Sequence, residues 1–442
     1  MLGAASLLTL VTLAGLVTGF AREWLLVASW GAGARTDAFV IAMFLPEAVR
    51  AMLAAGLLTS AALALWQARA AAERSRWFSQ LSVVLGLGSV GLAALICLGA
   101  PWLVHLMGPG LAAVPLAHTV SALHILAWSL PGLVLQAWWA VPRQAAGHFL
   151  LAGMGSLLYN LPAMLYLWWQ GPRAQEEMLS WAFVSGSAAM GLVMLPSAIR
   201  SGLRLVSLSG CAAAFAELGR KLMPLLGSAM AGQGLTLLER MVASYLGEGV
   251  VTAVNLARKL INLPLIALQS LNQVLLSLMS RRESKRVALL RKGLEAVTVV
   301  SLPASLGLML GAPALVGLLF PKVQGATVVV PLLAGYAAVL LLASWNTLLA
   351  RYHYAEGDTR GPVVAELRGS LLQALALPPL AWMAGSLGIV WAVLLGTLLT
   401  GQLLLRAPSL RQGLGLIPQS LVSALVLASA WHAPSSPESG VV

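Results

Sequence analysis

Segments of about 20 apolar residues recur from one end of this chain to the other, and that recurrence leaves the backbone few choices. In hydrocarbon no water satisfies peptide N–H and C=O groups, so each segment must close its own hydrogen bonds as a helix. The spans read as approximately 2–29, 36–66, 78–107, 117–140, 148–169, 178–198, 217–245, 250–280, 289–320, 326–353, 362–383 and 385–405. Composition agrees: 59% of residues are hydrophobic and 10% charged, whereas a soluble chain carries about a quarter charged residues. The expected fold is an all-α polytopic membrane protein of about twelve transmembrane helices, with no room for a soluble domain. The run from Met1 lacks a basic n-region and continues into Arg22-Glu23 rather than a small-residue cleavage site, so it reads as a retained first helix. Pro46, Pro131, Pro162, Pro264, Pro303 and Pro379 fall inside spans, where they loosen the hydrogen-bond ladder and permit kinks.

The connecting loops alternate in charge. One set holds Arg69, Arg74, Arg76, Arg143, Arg200 and Arg204, and in the second half Arg281, Lys285, Arg286, Arg351, Arg360 and Arg406; the other set holds Arg35, Arg173 and Lys322. The positive-inside rule makes the first set cytoplasmic and places the N-terminus there too. The same rule explains most of the net charge of +12, so nucleic acid is not an expected partner. Residues 28–46, ASWGAGARTDAFVIAMFLP, and 243–264, ASYLGEGVVTAVNLARKLINLP, share a small-aromatic segment, a Gly-x-Gly turn, a helix with interior charge and Leu-Pro. A repeat with six spans per half gives two bundles related by a pseudo-two-fold along the membrane normal. The expected division is 1–205 and 206–406, followed by a short partial helix at 419–432 and a disordered tail within 407–442.

No HExxH, CxxC, P-loop or convincing carboxylate pair is present, so no enzyme, catalytic residue or ATP-driven step is expected. Cys97 and Cys211 support neither a disulfide nor a metal site, and the six histidines are scattered. Charge inside apolar spans is what stands out. Residues 17–58 carry Arg22, Glu23, Asp37, Glu47 and Arg50, and the second half carries Arg240, Arg258 and Lys259. Each such charge costs at least about 2.5 kcal/mol at membrane depth, so these residues must face protein or a watery cavity. Arg22, Arg50 and Lys259 could converge on one cavity, where guanidinium forks and an ammonium suit a pyrophosphate. The competing reading pairs these cations with Glu23, Asp37, Glu47 and Glu239, or lets them snorkel to the interface. Asp37 is either a gate or turn residue or an acid favoured by a helix N-terminus. Cavity charges neutralised in tight pairs within a sealed core would argue for a membrane scaffold; an open cationic cavity would argue for transport.

GFARE (19–23), GAGARTDAF (31–39), LPEAVR (45–50), SLPASLGLML (301–310) and HYAEGDTRGPV (353–363) occur in the order seen in the MurJ/MviN family of lipid II flippases, within the MOP exporter superfamily, which this chain resembles over roughly residues 1–406. The resemblance implies two six-helix bundles, alternating access, and translocation of a lipid-linked sugar pyrophosphate on an undecaprenyl carrier across the bacterial inner membrane. It implies substrate binding by Arg22, Arg50 and Lys259, with Asp37 matching the family's acidic residue after the first turn; Arg258 and Glu47, charged within spans, are further candidates for gate or accessory roles. The chain departs from the family pattern at Leu16, where a further arginine is expected, at Ala55 in place of an acid, and at Arg258 in place of the acid before the cation. Two further helices that line a lipid-tail groove in the family are represented only by the stub at 419–432.

The function expected is thus a flippase for the peptidoglycan precursor lipid II. The alternatives are a flippase for another undecaprenyl-linked oligosaccharide, of the exopolysaccharide or O-antigen kind, and a non-transporting scaffold for cell-wall synthesis proteins. No cofactor is expected; coupling would come from a monovalent ion or the membrane potential.

Overall fold

The computed structural model describes residues 2–54, 56–204, 210–281, 286–319, 326–406 and 410, and every regular element among them is helical. The elements are α1 (Leu2–Trp30), α2 (Ala34–Ala42), α3 (Phe44–Ala54), α4 (Leu57–Ala68), α5 (Ala71–Met107), α6 (Ala113–Leu126), α7 (Leu130–Trp139), α8 (Val141–Ala145), α9 (Leu150–Gly153), α10 (Gly155–Gln170) and α11 (Glu176–Arg200), then α12 (Cys211–Tyr245), α13 (Val250–Arg281), α14 (Arg286–Leu319), α15 (Ala326–Glu356), α16 (Arg360–Ala384) and α17 (Ser386–Leu404). Each expected span coincides with one helix or with consecutive helices. Among the described residues, eight segments are long and apolar enough to cross a bilayer by length and composition. This is a multi-pass membrane protein. The stub at 419–432 and the tail lie outside the described residues.

The second span is broken where one continuous helix was expected. Pro46 has no N–H to give the Ala42 carbonyl, and α2 ends at Ala42 before α3 restarts at Phe44. A second break follows at Gly56, whose φ of +78° is left-handed backbone that suits glycine. Pro131 likewise sits in the first turn of α7, where a missing N–H costs nothing. Pro162, Pro264, Pro303 and Pro379 stay inside α10, α13, α14 and α16.

Contacts divide the chain into two compact units, residues 1–255 with 319–326, and 256–318 with 327–442. In the first, a core of Leu58, Trp77, Phe78, Leu81, Trp138, Val141 and Leu218 holds α4, α5, α7 and α12 together. Trp138 stacks on Phe78, and its Nε1 donates to Ser82 Oγ at 3.0 Å, so the indole N–H is satisfied away from water. Arg69 pairs with Glu217 and lies over the Trp77 ring, tying the start of α12 to the turn between α4 and α5. At the opposite helix ends Trp102, Trp168, Trp169 and Trp181 are exposed, as side chains at lipid head-group level are.

In the second unit, Leu268, Leu275, Met279, Leu290, Val297, Leu348 and Tyr352 form the core between α13, α14 and α15. Lipid tails are as apolar as leucine, so helices here are joined by close backbone approach. The tightest case is α16 on α17: a Cβ at Gly369 would stand 2.6 Å from the Gly396 carbonyl oxygen and clash with Thr400 Oγ1. Asp358 Oδ1 accepts from the N–H groups of Arg360 and Gly361 at 3.0 and 2.8 Å and so satisfies donors at the start of α16. Substituting Gly369→Leu should destabilise this unit by about 1–3 kcal/mol through overpacking. Thermal unfolding in detergent checks this: Gly369→Leu should lower the midpoint, whereas Gly307→Ala, with nothing within 4 Å of its added Cβ, should not.

Candidate functional site

Arg22 is only 2% exposed, and three acceptors surround it in the first unit. Its Nη1 donates to Asn160 Oδ1 of α10 at 2.8 Å, and its Nη2 donates to Glu47 Oε1 of α3 at 2.7 Å and to Glu23. The guanidinium also lies 5.0 Å from the Phe183 ring of α11. Two carboxylates and a carboxamide meet one cation, so the cost of burying the charge is offset by pairing. The competing reading, in which Arg22 pairs with Glu23 and Glu47, is therefore what the geometry contains, and Arg22 does not line the Arg50 cavity.

Arg50, one turn beyond Glu47 on α3, is held differently. Its Nη1 reaches Ser156 Oγ at 3.3 Å and its guanidinium lies 5.1 Å from the Tyr159 ring. Among the described residues its Nε, the Arg22 Nε and the Tyr159 hydroxyl are buried without a hydrogen-bond partner. Arg50 lines a cavity of about 550 Å³ bounded by α3, α4, α7 to α10 and Met190 of α11, with Thr59, Ser60, Gln136, Gln144 and Ser156 on its wall. That volume lies within the range of small-molecule sites, about 300–1,000 Å³. Uncommitted donors and neutral polar groups around one arginine can bind phosphate oxygens and the hydroxyl or amide groups attached to them.

Asp37 sits in the first turn of α2, and its carboxylate reaches a segment 212 residues later. Oδ2 accepts from Gly249 N at 2.6 Å; Oδ1 accepts from Thr252 N at 2.7 Å and Thr252 Oγ1 at 2.5 Å. The acid thus caps the N-terminus of α13 from outside, satisfying donors that a helix start leaves unpaired. Gly249 has φ +83°, and a Cβ there would stand 2.6 Å from the Ala32 carbonyl oxygen. The two repeat segments found in the sequence therefore clasp each other. Arg240 reinforces the clasp: Nη1 donates to Val40 O at 2.6 Å, Nη2 approaches Asn255 Oδ1 at 3.3 Å, and the guanidinium lies over Phe44. Asn255 Nδ2 in turn donates to Glu23 Oε2 at 3.1 Å. A chain of polar contacts thus runs from Asn160 through Arg22, Glu23 and Asn255 to Arg240.

Arg258 and Lys259 belong to the second unit. Arg258 lies 5.9 Å from the Tyr336 ring and lines a cavity of about 240 Å³ with Asn262, Tyr336 and Ala343. Lys259, half-buried on the same helix, is not among that cavity's lining residues. Sequence reasoning missed Asn160, Tyr159, Ser156, Thr252 and Asn255. Asn160 and Asn255 carried a signal, since a carboxamide in an apolar span must find a partner. No group of His, Cys, Asp and Glu among the described residues could hold a metal ion.

A helical membrane protein with arginine-bearing cavities and a polar network through its helices has the architecture of a transporter. Two solved structures share the fold. A solved lipid II flippase MurJ in an inward closed conformation superposes with TM-score 0.84 at 17% identity, covering 97% of this chain and 93% of that one. An inward-facing multidrug resistance MATE family transporter of the MOP superfamily gives 0.71 at 14% identity, covering 94% and 96%. The chain belongs to the lipid II flippase MurJ family, whose profile matches residues 26–434. Among curated relatives, the lipid II flippase MurJ of Burkholderia cenocepacia is 27% identical, with 95% of this chain and 87% of that one aligned.

Replacing Asp37 with Ala removes the acceptor for two backbone amides. Hydrogen bonds to a charged group contribute about 1.5–3 kcal/mol, so local opening should become about 10–100-fold more frequent. Hydrogen exchange at Gly249 and Thr252 measures this directly. Exchange there should quicken by that factor, while amides in the α5 core remain as protected as in the parent protein.

Proposed function

We propose that this protein carries lipid II, an undecaprenyl-linked sugar pyrophosphate, across the bacterial inner membrane by alternating access. The observation that carries the reading is Arg50: a guanidinium on the wall of a cavity of about 550 Å³, where its Nη1 makes a 3.3 Å hydrogen bond to Ser156 Oγ. Membership of the family and the names of the curated relatives support the same substrate. The arginine-rich helix ends face the cytoplasm on this reading, with the N-terminus on that side. Arg258 and Lys259 supply cationic contacts of the second unit, and the driving force is the membrane potential or a monovalent ion gradient.

The mechanism follows from which arginine is committed. Pyrophosphate takes Arg50 first, because Arg22 is already paired with Glu23 and Glu47. An anion beside Arg50 lies one turn from Glu47, and repulsion weakens the hold of Glu47 on Arg22. Any shift of Arg22 passes through Glu23 to Asn255, in the turn of α13 that Asp37 caps. Asp37 then acts as the outer gate, and substrate opens it because its contacts differ between the two states.

Flipping of fluorescent lipid II in proteoliposomes tests the reading. Arg50→Ala should slow it about 10–100-fold, the loss expected for contacts of about 1.5–3 kcal/mol, and Arg50→Lys should recover part of the rate. Wild-type movement of a glycan carrier without a stem peptide, but not of lipid II, would replace the substrate with a simpler oligosaccharide. A folded wild type that moves neither and still binds a cell-wall synthesis protein would make it a scaffold.

A further inference from the structure

The second unit contains a polar groove that no residue of the proposed pyrophosphate site enters. It lies between α15 and α16 with α17 as its floor, and its volume is about 440 Å³. The α15 residues along it, Ala343, Asn346, Thr347, Ala350, Arg351 and Tyr354, recur every three to four positions and so form one face of the helix. Ala343 also lines the Arg258 cavity, which continues along the same face to Tyr336. From Tyr336 to Tyr354 the face is about 27 Å long at 1.5 Å per residue, close to the thickness of the hydrocarbon core.

The chemistry of the wall selects its occupant. Thr347, Thr397 and Thr400 each donate their hydroxyl proton to the carbonyl four residues earlier, at 2.8, 2.7 and 3.0 Å, which leaves oxygen lone pairs for a ligand. Asn346 spends its Nδ2 donor on the Thr397 carbonyl at 2.7 Å, leaving a side-chain acceptor. Arg351 and Glu366 contribute one charge of each sign. An acyl tail would leave these oxygens unpaired in a dry groove, and a bare polyphosphate would meet as much negative charge as positive. A single dehydrated cation would occupy a small part of the volume. A group rich in O–H and N–H donors, tens of atoms in size, satisfies the wall, and Tyr354 offers it a ring and a hydroxyl at one end.

We propose that this groove binds the hydroxyl- and amide-bearing glycan of the transported lipid, apart from its pyrophosphate. The proposal rests on the flippase reading given above. It makes the groove a determinant of which glycan is carried, while Arg50 reads the phosphate common to all such carriers.

Thiol labelling tests it. In a background of Cys97→Ala and Cys211→Ala, the variants Thr347→Cys on α15 and Ser370→Cys on α16 are reconstituted separately and reacted with a water-soluble maleimide. Undecaprenyl pyrophosphate bearing its disaccharide should slow labelling of both about fivefold at about four times its Kd, since protection scales as 1 + [L]/Kd. Undecaprenyl pyrophosphate alone should leave both rates unchanged. Equal effects of the two lipids, in vesicles where the glycan carrier is still flipped in an Arg50-dependent manner, would overturn the groove and leave the flippase standing. Absence of flipping in wild-type vesicles would overturn the flippase reading and the groove with it. Two positions on facing helices guard against one variant folding poorly.

Discussion

A guanidinium buried in an apolar helix organises the first unit. Arg22 has no water to solvate it, and an unpaired ion in that setting costs several kcal/mol. The chain meets the cost by bringing Glu23 on the same helix, Glu47 on α3 and Asn160 on α10 to one point. Those contacts dictate where α1, α3 and α10 lie against one another. The break at Met43 belongs to the same requirement, because the restart of α3 after it sets the direction from which Glu47 and Arg50 project. Such a pair adds little net stability over apolar packing, but it makes any other register of these helices expensive.

Asp37 shows how a repeat can be used asymmetrically. Aligning the Gly-x-Gly turns places Ala253, fully buried, opposite Asp37. The acid in the first copy reaches across to the backbone amides that start the helix of the second, and to Thr252, the residue just before Ala253. The carboxylate of the first copy thus caps the helix of the second, while the aligned position in the second copy, Ala253, carries no charge and is packed inside.

Much of the architecture is legible in the sequence because membrane helices obey a length rule: twelve apolar stretches predicted the positions of the helices to within several residues. The breaks at Met43 and Gly56 are harder to foresee, since Pro162 and Pro303 leave their helices continuous while Pro46 does not. At the site, charge in an apolar span singles out Arg22, Glu23, Asp37, Glu47 and Arg50 as groups in need of partners. Which partner each takes depends on tertiary contacts as remote as 138 residues for Asn160 and 232 for Glu23 with Asn255, and local pattern carries no such information. Choosing between Arg258 and Lys259 meets the same barrier. Adjacent residues on a helix point about 100° apart, so knowing which one faces the Arg258–Tyr336 cavity requires the packing.

The division between a committed and an uncommitted arginine bears on release as much as on binding. A cavity with several unpaired cations would hold a pyrophosphate too tightly to let it go, since each charge-assisted contact adds about 1.5–3 kcal/mol. On the proposed reading, pairing Arg22 with two carboxylates withholds its charge from an arriving anion and leaves Arg50 to meet it first. Further contact with Arg22 then requires Glu23 or Glu47 to let go, and Glu23 is bonded to the helix turn that Asp37 caps. A ligand shifts an equilibrium only by the difference in its affinity for the two states. In the proposed mechanism an exchange of partners at Arg22 would supply such a difference, because the ligand would gain this contact only in an arrangement where the carboxylates had moved.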